Sequence, residues 1–239
     1  PHMADAPAGR LESAGVRLPE GGCLFLTSGT TGPPKWVALE KRALLHSAKV
    51  VNARYNINAS DRSLIPLPLH HVGGFSILAR CYLSGSECHI LLDKWNPEAF
   101  RGALSDRNIT VTSMVPTQLH DVVARNLRAP PSLRLVMVGG GRLPTPLMLD
   151  ALRLGWPVCA TYGLTEAASQ VASQPLEHDR LNDPETLEIL PHWHANVTTE
   201  GRLNLRGPSL ATGSLRADAA TIGWEPISSE HGLTTHDHV

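Results

Sequence analysis

The stretch Leu133-Arg-Leu-Val-Met-Val-Gly-Gly-Gly141 is a run of mostly apolar residues that ends in three glycines. A short apolar run bounded by turn residues is typical of a strand that is buried on both faces. The segment from about Thr145 to Leu154 predicts a helix, and Val158-Cys-Ala-Thr161 predicts the next strand. Strand and helix therefore alternate here, which indicates a mostly parallel sheet with helices on its faces.

The same alternation extends toward the N-terminus. Asn96 and Pro97 are suited to a helix start, because asparagine caps the first backbone amides and proline is tolerated in the first turn. The predicted extended segments are 24–26, 36–39, 63–69, 89–92 and 109–115, and the predicted helices are 41–55, 75–83, 96–107 and one that begins at Pro116. We assign residues 4–175 to this α/β core, whereas Pro1-His-Met3 is typical of a cloning scar.

The pattern changes near Pro175. Short β-like segments follow, separated by turn residues, at 187–190, 195–198, 202–206 and 232–235. Such segments are typical of an antiparallel sheet or a partial barrel. We therefore expect an α/β fold, with a mostly parallel sheet flanked by helices, followed by a small antiparallel β unit that comprises residues 176–239.

The composition argues against several kinds of partner. The 239 residues carry a formal net charge of −1 and contain no long basic run, so nucleic acid and acidic membrane surfaces are not expected partners. No apolar run approaches the ~18 residues that a membrane span needs, and the first residues do not resemble a signal peptide. We expect a cytoplasmic protein that acts on small molecules, and self-association into a homo-oligomer stays open.

Cysteine and histidine spacing gives no sign of a structural metal. The four cysteines lie in apolar contexts and form no C-x-x-C motif, which predicts reduced core thiols rather than a disulfide or a zinc site. They are Cys23, Cys81, Cys88 and Cys159. The histidine pairs in His192-Trp-His194 and His236-Asp-His238 lack a second ligand pair at a recognised spacing.

The stretch Thr27-Ser-Gly-Thr-Thr-Gly-Pro-Pro-Lys35 combines hydroxyls, glycines and one cation, which suits a polyphosphate. The apolar residues before it predict a buried strand, so the loop should leave a strand end, where α/β proteins commonly bind ligands. In a Walker loop the lysine follows a glycine, but Lys35 follows two prolines and precedes Trp36. This spacing disfavours a P-loop NTPase, and a flexible surface loop is the alternative that composition alone leaves open.

Three further stretches are expected at strand ends of the same sheet edge, and together with the loop they would form a pocket. They are His70-His-Val-Gly-Gly74, Gly139-Gly-Gly141 and Tyr162-Gly-Leu-Thr-Glu166. Each one alone is equally typical of a tight turn. The glycine run does not have the G-x-G-x-x-G spacing, which argues against a dinucleotide.

Together these motifs resemble the adenylate-forming enzymes, the superfamily of acyl-CoA synthetases, peptide-synthetase adenylation domains and luciferases. Thr27–Lys35 resembles the first superfamily signature and Tyr162–Glu166 the second, in the same order and at a similar separation. Within the superfamily, four segments look most like the o-succinylbenzoate–CoA ligases of menaquinone synthesis. These segments are 67–74, 113–119, 138–141 and 162–170.

The resemblance implies a two-step reaction that uses ATP, Mg²⁺ and CoA. A carboxylate attacks the α-phosphate of ATP to give an acyl-adenylate and pyrophosphate, and CoA then displaces AMP to give a thioester. The resemblance also implies that one loop holds the β- and γ-phosphates. The loop residues concerned are Thr27, Ser28, Gly29, Thr30, Thr31, Gly32 and Lys35.

The resemblance assigns roles to residues of the other motifs as well. Glu166 would bind Mg²⁺, Thr165 would contact the α-phosphate, and His71 would lie near the acyl carboxylate and the phosphate. Asp237 would accept hydrogen bonds from the ribose, although the usual preceding glycine is His236 here, and a frayed chain end is the alternative. The residues that would line the adenine and acyl pocket are Tyr162, Gly163, Gly139, Gly140 and Gly141.

Departures from the family concern both ends. The first subdomain of the family is expected to be largely absent, and so is the C-terminal lid domain with its catalytic lysine. We therefore expect a chain that forms most of the pocket but is impaired in the complete reaction. Another aryl- or acyl-CoA ligase, and a non-catalytic nucleotide-binding module, remain as alternatives.

Overall fold

A computed structural model of the chain describes residues 21–27, 34–175, 186–217 and 222–238. The helices are α1 (Lys41–Arg54), α2 (Val72–Ser84), α3 (Pro97–Asp106), α4 (Pro116–Ala124) and α5 (Thr145–Arg153). The strands before residue 175 are β1 (Cys23–Thr27), β2 (Lys35–Leu39), β3 (Arg62–Ile65), β4 (Glu87–Ile90), β5 (Val111–Met114), β6 (Leu135–Val138), β7 (Val158–Leu164) and β8 (Ser169–Ser173). The later strands are β9 (Glu188–Ile189), β10 (His194–Val197), β11 (Arg202–Arg206), β12 (Gly213–Ala217), β13 (Ile222–Pro226) and β14 (Leu233–His238).

A seven-stranded sheet forms the centre of the fold, in the order β4-β3-β5-β6-β7-β8-β9. The first five strands of this order are parallel to one another. Strand β8 is antiparallel to both of its neighbours, β7 and β9. Every residue of β5 and β6 is buried, so both faces of these two strands are covered. The predicted mostly parallel sheet with flanking helices is confirmed.

The helix starts follow the capping residues in the sequence. The Asn96 side chain accepts a hydrogen bond from the Ala99 amide, and Pro97 is the first residue of α3, as predicted. Helix α2 begins at Val72, three residues earlier than the predicted start at Phe75. Gly74 in its first turn is needed for packing, because a Cβ there would lie 2.3 Å from the Pro68 carbonyl oxygen.

The largest core cluster lies between the parallel sheet and helices α3, α4 and α5. Phe100 and Trp156 are fully buried, their rings are stacked with centroids 6.3 Å apart, and the Trp156 indole donates a hydrogen bond to the Leu127 carbonyl. Truncation of such a ring to alanine typically costs about 3 to 5 kcal/mol. This core fixes the carboxyl ends of β5, β6 and β7 relative to one another.

The strands after residue 186 belong to three different sheets. Strand β9 extends the large sheet, β12 and β13 join β1 and β2 in a four-stranded antiparallel sheet, and β10, β11 and β14 form a third. The antiparallel strands predicted after Pro175 are thus present, and the division of the chain at residue 176 stays a prediction. Strands β8, β12 and β13 were not predicted, because their polar composition hides their burial or pairing.

One prediction about the phosphate loop is wrong. Strand β1 does not belong to the parallel sheet, because it pairs with β2 over the whole length from Cys23–Leu39 to Thr27–Lys35. The four motif stretches therefore do not share one sheet edge. Strands β1 and β2 are adjacent in sequence and form their hydrogen bonds with each other. The four-stranded sheet to which they belong carries Lys35, which therefore reaches Glu166 from outside the parallel sheet. Among the described residues, no helix is both long and apolar enough to cross a lipid bilayer.

Candidate active site

A cavity of about 190 Å³ lies at the carboxyl ends of β5, β6 and β7, next to the start of α2. Four predicted site residues contribute to its wall: Gly139, Gly140, Gly163 and Thr165. Carboxyl strand ends are where parallel sheets usually bind ligands, because the connecting loops diverge there. The cavity is therefore the candidate active site.

The two predicted ligands of phosphate and magnesium contact each other. Lys35 Nζ lies 2.6 Å from Glu166 Oε1, and the two side chains are only 23% and 15% exposed. Lys35 comes from β2 and Glu166 from the short 3₁₀ turn Thr165–Ala167 after β7. The two sequence signatures thus meet in one site, although they belong to different sheets.

The donor set around Glu166 suits magnesium bound together with phosphates. Among the described residues there is no group of three or more histidine, cysteine, aspartate or glutamate side chains that could hold a metal alone. Mg²⁺ is commonly held by one or two carboxylates while phosphate and water oxygens complete its octahedron. One shielded carboxylate, paired with an exchangeable lysine, fits that arrangement.

The turn that carries Thr165 and Glu166 has a strained backbone. Ala168 and Ser169 adopt positive φ values of 52° and 102°, which residues other than glycine rarely adopt. Gly163 is obligatory beside this turn, because a Cβ there would lie 1.9 Å from the Ser169 carbonyl oxygen. A register shift between Tyr162 and Gly163 accompanies this close approach. The turn follows the irregular part of the β7–β8 ladder, and its Glu166 contacts Lys35.

Tyr162, which precedes the cavity residue Gly163, contacts Asp237. The Tyr162 hydroxyl donates a 2.6 Å hydrogen bond to Asp237 Oδ2, and Asp237 lies in β14 rather than in a frayed end. Burial, followed by this hydrogen bond and the Asp237 charge, raises the pKa of Tyr162. The tyrosine therefore stays a neutral donor, and Asp237 keeps a second oxygen for another donor.

Several predicted site residues do not line the cavity. They are His71, Gly141, Lys35, Glu166, Tyr162 and Asp237. His71 is the exposed N-cap residue of α2 and its ring lies 4.4 Å from that of His70, while the next residues, Val72 and Gly73, do line the cavity. Burial, followed by the charge of His70, lowers the pKa of His71, so its ring is neutral near pH 7. Thr27 lies outside the wall as well, with its hydroxyl 3.4 Å from the Lys35 carbonyl. Ser28, Gly29, Thr30, Thr31 and Gly32 lie outside the described residues.

Arg80 is a cavity residue that the sequence analysis missed. It is 3% exposed, and its guanidinium donates hydrogen bonds to the hydroxyls of Ser76 and Ser113 at 3.3 and 3.0 Å. Burial lowers its pKa to about 10, so the group is still charged near neutrality. Among the described residues, no carboxylate forms an ion pair with it. A single arginine in the otherwise uncharged helix 72–84 was the signal that could have revealed it.

Gln170 is a second missed residue in the same wall. It is 5% exposed, its amide nitrogen contacts Met137 Sδ at 3.3 Å, and its Oε1 has no hydrogen-bond partner among the described residues. Unsatisfied buried polar atoms are rare in native proteins and each calls for an explanation. Within the described residues, the cavity therefore holds a cation without a carboxylate partner and an acceptor without a donor, which suits a polar ligand that carries an anionic group and a hydrogen-bond donor better than an apolar one.

The fold is that of the α/β core of adenylate-forming enzymes. A sequence model described as AMP-binding enzyme matches residues 22–215, which is most of the chain, and the chain belongs to this family.

Several individual relatives are o-succinylbenzoate–CoA ligases. The 2-succinylbenzoate–CoA ligase of Bacillus cytotoxicus is 32% identical over 222 residues, which cover 85% of this chain and 44% of that protein. The Bacillus subtilis o-succinylbenzoate CoA synthetase (MenE), in complex with the acyl-adenylate intermediate OSB-AMP, is 25% identical with a TM-score of 0.76, over 90% of this chain and 48% of that one. An Escherichia coli MenE variant with bound OSB-AMS is 30% identical with a TM-score of 0.75, over 93% and 46%. The chain thus spans about half the length of the relatives it matches.

Proposed function

We propose that this chain is the ATP- and acid-binding part of an acid–thiol ligase that acts through an acyl-adenylate, with o-succinylbenzoate as the acid. In this proposal the acid and ATP give the acyl-adenylate and pyrophosphate, and the CoA thiol then displaces AMP. Membership of the AMP-binding family supports the nucleotide, and the named relatives support the acid.

The observation that carries the choice of acid is the buried guanidinium of Arg80. o-Succinylbenzoate has two carboxylates, of which only one reacts with ATP. A desolvated arginine that has hydroxyl neighbours but no carboxylate within the described residues is suited to the second one. Benzoate and fatty acids lack this group, so they would leave a buried charge unpaired.

The remaining site residues would contact different phosphates of the nucleotide, the acyl carboxylate and the metal. The Thr165 hydroxyl would donate to the α-phosphate, and His71, neutral near pH 7, would orient the acyl carboxylate toward it. The stretch Thr27–Lys35 would hold the β- and γ-phosphates and stabilise charge on the departing pyrophosphate. Mg²⁺, when bound, would neutralise phosphate charge, with Glu166 as its protein ligand.

The nucleoside would be held by groups from three strand ends. Gly139, Gly140 and Gly141 would let a flat base lie against the backbone, and Gly140 already has a φ of 76°. Asp237 would accept hydrogen bonds from the ribose hydroxyls through the oxygen that Tyr162 leaves available. Tyr162 and Gly163 would complete the pocket.

The proposal is tested by calorimetric titration of the chain with three acids, in the presence of Mg²⁺ and a non-hydrolysable ATP analogue. We expect o-succinylbenzoate to bind about tenfold or more tightly than benzoate or a medium-chain fatty acid, since only it pairs with Arg80. Equal or reversed preference would overturn the choice of acid and favour another acyl-CoA ligase.

A second measurement separates the ligase from a binding module. Acid-dependent pyrophosphate release is followed for this chain and for a version extended by native flanking sequence. We expect release from the extended version. Binding of AMP without release for any acid would instead support a nucleotide-binding module.

A further inference from the structure

His192 is a titratable residue that the proposed reaction does not use and that does not line the cavity. Its ring centroid lies 5.5 Å from that of His46 in α1 and 4.7 Å from that of Trp193. Its backbone is packed closely as well, because a Cβ on Gly207 would lie 2.6 Å from the His192 carbonyl oxygen. The residue is therefore held between α1 and the loop that follows β11.

The two ring nitrogens of His192 are buried, and neither forms a hydrogen bond with a described residue. A neutral imidazole has one donor and one acceptor, whereas the imidazolium has two donors and a positive charge. Protonation here would thus add a charge and a second donor where no acceptor of the described chain is within hydrogen-bond distance, which is costly. The packing suits the neutral ring alone.

The charged groups around His192 provide no counter-ion for an imidazolium. His46 faces it from α1, and the carboxylates within 40–54 and 188–206 already form ion pairs with arginines. These pairs are Glu40–Arg42, Glu188–Arg54 and Glu200–Arg202. The other charged or titratable side chains of the two segments are exposed, namely Lys41, Lys49, His194 and Arg206. Burial, followed by the charge of His46, lowers the pKa of His192 to about 4.

The segment that carries His192 also supports the cavity wall. Trp193 is 6% exposed and belongs to the same buried cluster as Val51 of α1. Its indole N–H donates a 3.2 Å hydrogen bond to the carbonyl oxygen of Gln170, which lines the cavity. Movement of His192 away from α1 would therefore disturb the support of a wall residue.

We propose that His192 is an acid-sensitive latch, whose protonation releases residues 190–193 from α1 and loosens the cavity wall at Gln170. In the open state water hydrates the imidazolium, so the ring has the ordinary histidine pKa of about 6.5. The closed state has the lower pKa and therefore binds fewer protons. The stability of the closed state is fully present above about pH 6.5 and is lost as pH falls from there toward the folded pKa.

The test is hydrogen exchange of the tryptophan indole N–H groups, followed by nuclear magnetic resonance on the whole folded chain without ligands. Trp156 is the internal reference, because its indole is bonded to the Leu127 carbonyl in a different buried cluster. Dividing the Trp193 rate by the Trp156 rate at each pH removes the pH dependence of the exchange chemistry. We expect this ratio to rise about tenfold or more between pH 7.5 and pH 5.0.

Four variants make the assignment specific. His192→Phe loses no hydrogen bond at the ring nitrogens and cannot be protonated, so the rise should disappear. His192→Gln is a second variant that does not titrate, and it should also abolish the rise. His46→Phe should retain a smaller rise, because burial still acts on His192 while the second positive charge is gone. His120→Gln, at an exposed position in α4, should behave like wild type.

Other outcomes would overturn the proposal. They are an unchanged ratio in wild type, equal acceleration of Trp193 and Trp156, or a rise of the same size in both His192 variants. Equal acceleration would mean that acid unfolds the whole chain rather than releasing one segment. Neither ATP nor an acid substrate is present, so the result is independent of the proposed ligase function.

Discussion

Charged side chains at the two ends of the parallel sheet differ in how they are paired. At the amino ends of β3 and β6, Asp61 and Arg134 form a bidentate pair with N–O distances of 2.6 and 2.8 Å, and Thr110 donates a third hydrogen bond to Asp61. At the carboxyl ends, Arg80 has no carboxylate among the described residues, and Lys35 and Glu166 hold each other. The charged groups at the amino ends are paired within the protein, whereas those at the carboxyl ends are available to a ligand.

This difference shows what each end contributes. The Asp61–Arg134 pair joins a buried carboxylate to a partly exposed guanidinium, and loss of either partner would leave the other without its hydrogen bonds. The pair therefore stabilises the fold. An unpaired or exchangeable charge stabilises the free chain little and gains most when a ligand arrives. The carboxyl end is thus organised for binding at some expense of stability.

The largest effect is expected at the saturated end. Asp61→Asn should lower the free energy of unfolding by about 3 kcal/mol at pH 7, because it leaves Arg134 without its buried partner. Denaturant titration measures the change. Asp150→Asn, at an exposed pair with Arg153, is the matched control and should change stability by less than about 1 kcal/mol. Similar losses in both variants would remove the contrast between the pairs.

The same pair predicts a pH dependence. Burial would raise the pKa of Asp61, but hydrogen bonds from Arg134, Thr110 and the Asn58 amide outweigh burial and lower it. Because the folded pKa lies below the unfolded one, this stabilisation is present above the unfolded pKa and is lost as pH falls through the folded pKa. The stability difference between wild type and Asp61→Asn should therefore shrink in acid, and a constant difference would contradict the assignment.

Arg80→Met should produce the next largest effect, and it should appear in binding. We expect o-succinylbenzoate affinity to fall by about 2 kcal/mol, whereas the ligand-free chain is as stable as wild type or more so, because an unpaired buried charge is replaced by an apolar side chain. Calorimetry and denaturant titration give the two values. Arg153→Gln, on the surface of α5, serves as the control. Unchanged affinity, or a loss of stability without a loss of affinity, would assign Arg80 to the core.

A smaller effect is expected at Lys35. In Lys35→Met, Glu166 loses its counter-ion, so Mn²⁺ used as a magnesium probe should bind the nucleotide-free chain several-fold more tightly, worth less than about 1 kcal/mol. Electron paramagnetic resonance measures free Mn²⁺ directly. Lys49→Met removes an exposed charge from α1 and should leave the affinity unchanged. If both variants behave alike, the ion pair does not compete with the metal.

The smallest effect concerns Tyr162→Phe. Removal of the hydroxyl leaves Asp237 without its hydrogen bond, and we expect AMP affinity to fall by about 1 kcal/mol with stability unchanged. Calorimetric titration with AMP measures it. A loss equal to that of Asp237→Asn would mean that the tyrosine acts only by orienting the aspartate, and no loss at all would remove the tyrosine hydroxyl from the site.

The sequence revealed site residues that belong to short motifs of neighbouring residues. Thr165, Glu166 and Lys35 lie within short stretches whose residue types and spacing suit phosphate and magnesium, and the structure brings the last two into contact. Arg80 and Gln170 were missed because their importance lies in burial, and neither helix α2 nor strand β8 reports burial of a polar residue in its pattern. His71 was predicted near the acyl group, but it is not among the residues that line the cavity, although the next residue, Val72, is.

By itself, the sequence determined the alternation of strands and helices, the helix start at Asn96 and the polar chemistry available at the strand ends. These features depend on residues close together in the chain, so periodicity and turn chemistry suffice. The tertiary structure alone decided that β1 and β2 form a separate sheet and that Lys35 reaches Glu166 from it. It also decided that Arg80 is buried with no carboxylate partner in the described part of the chain, whereas Asp61 is paired with Arg134. Pairing and burial depend on contacts between distant segments, and it is these contacts that determine which charges remain for a ligand.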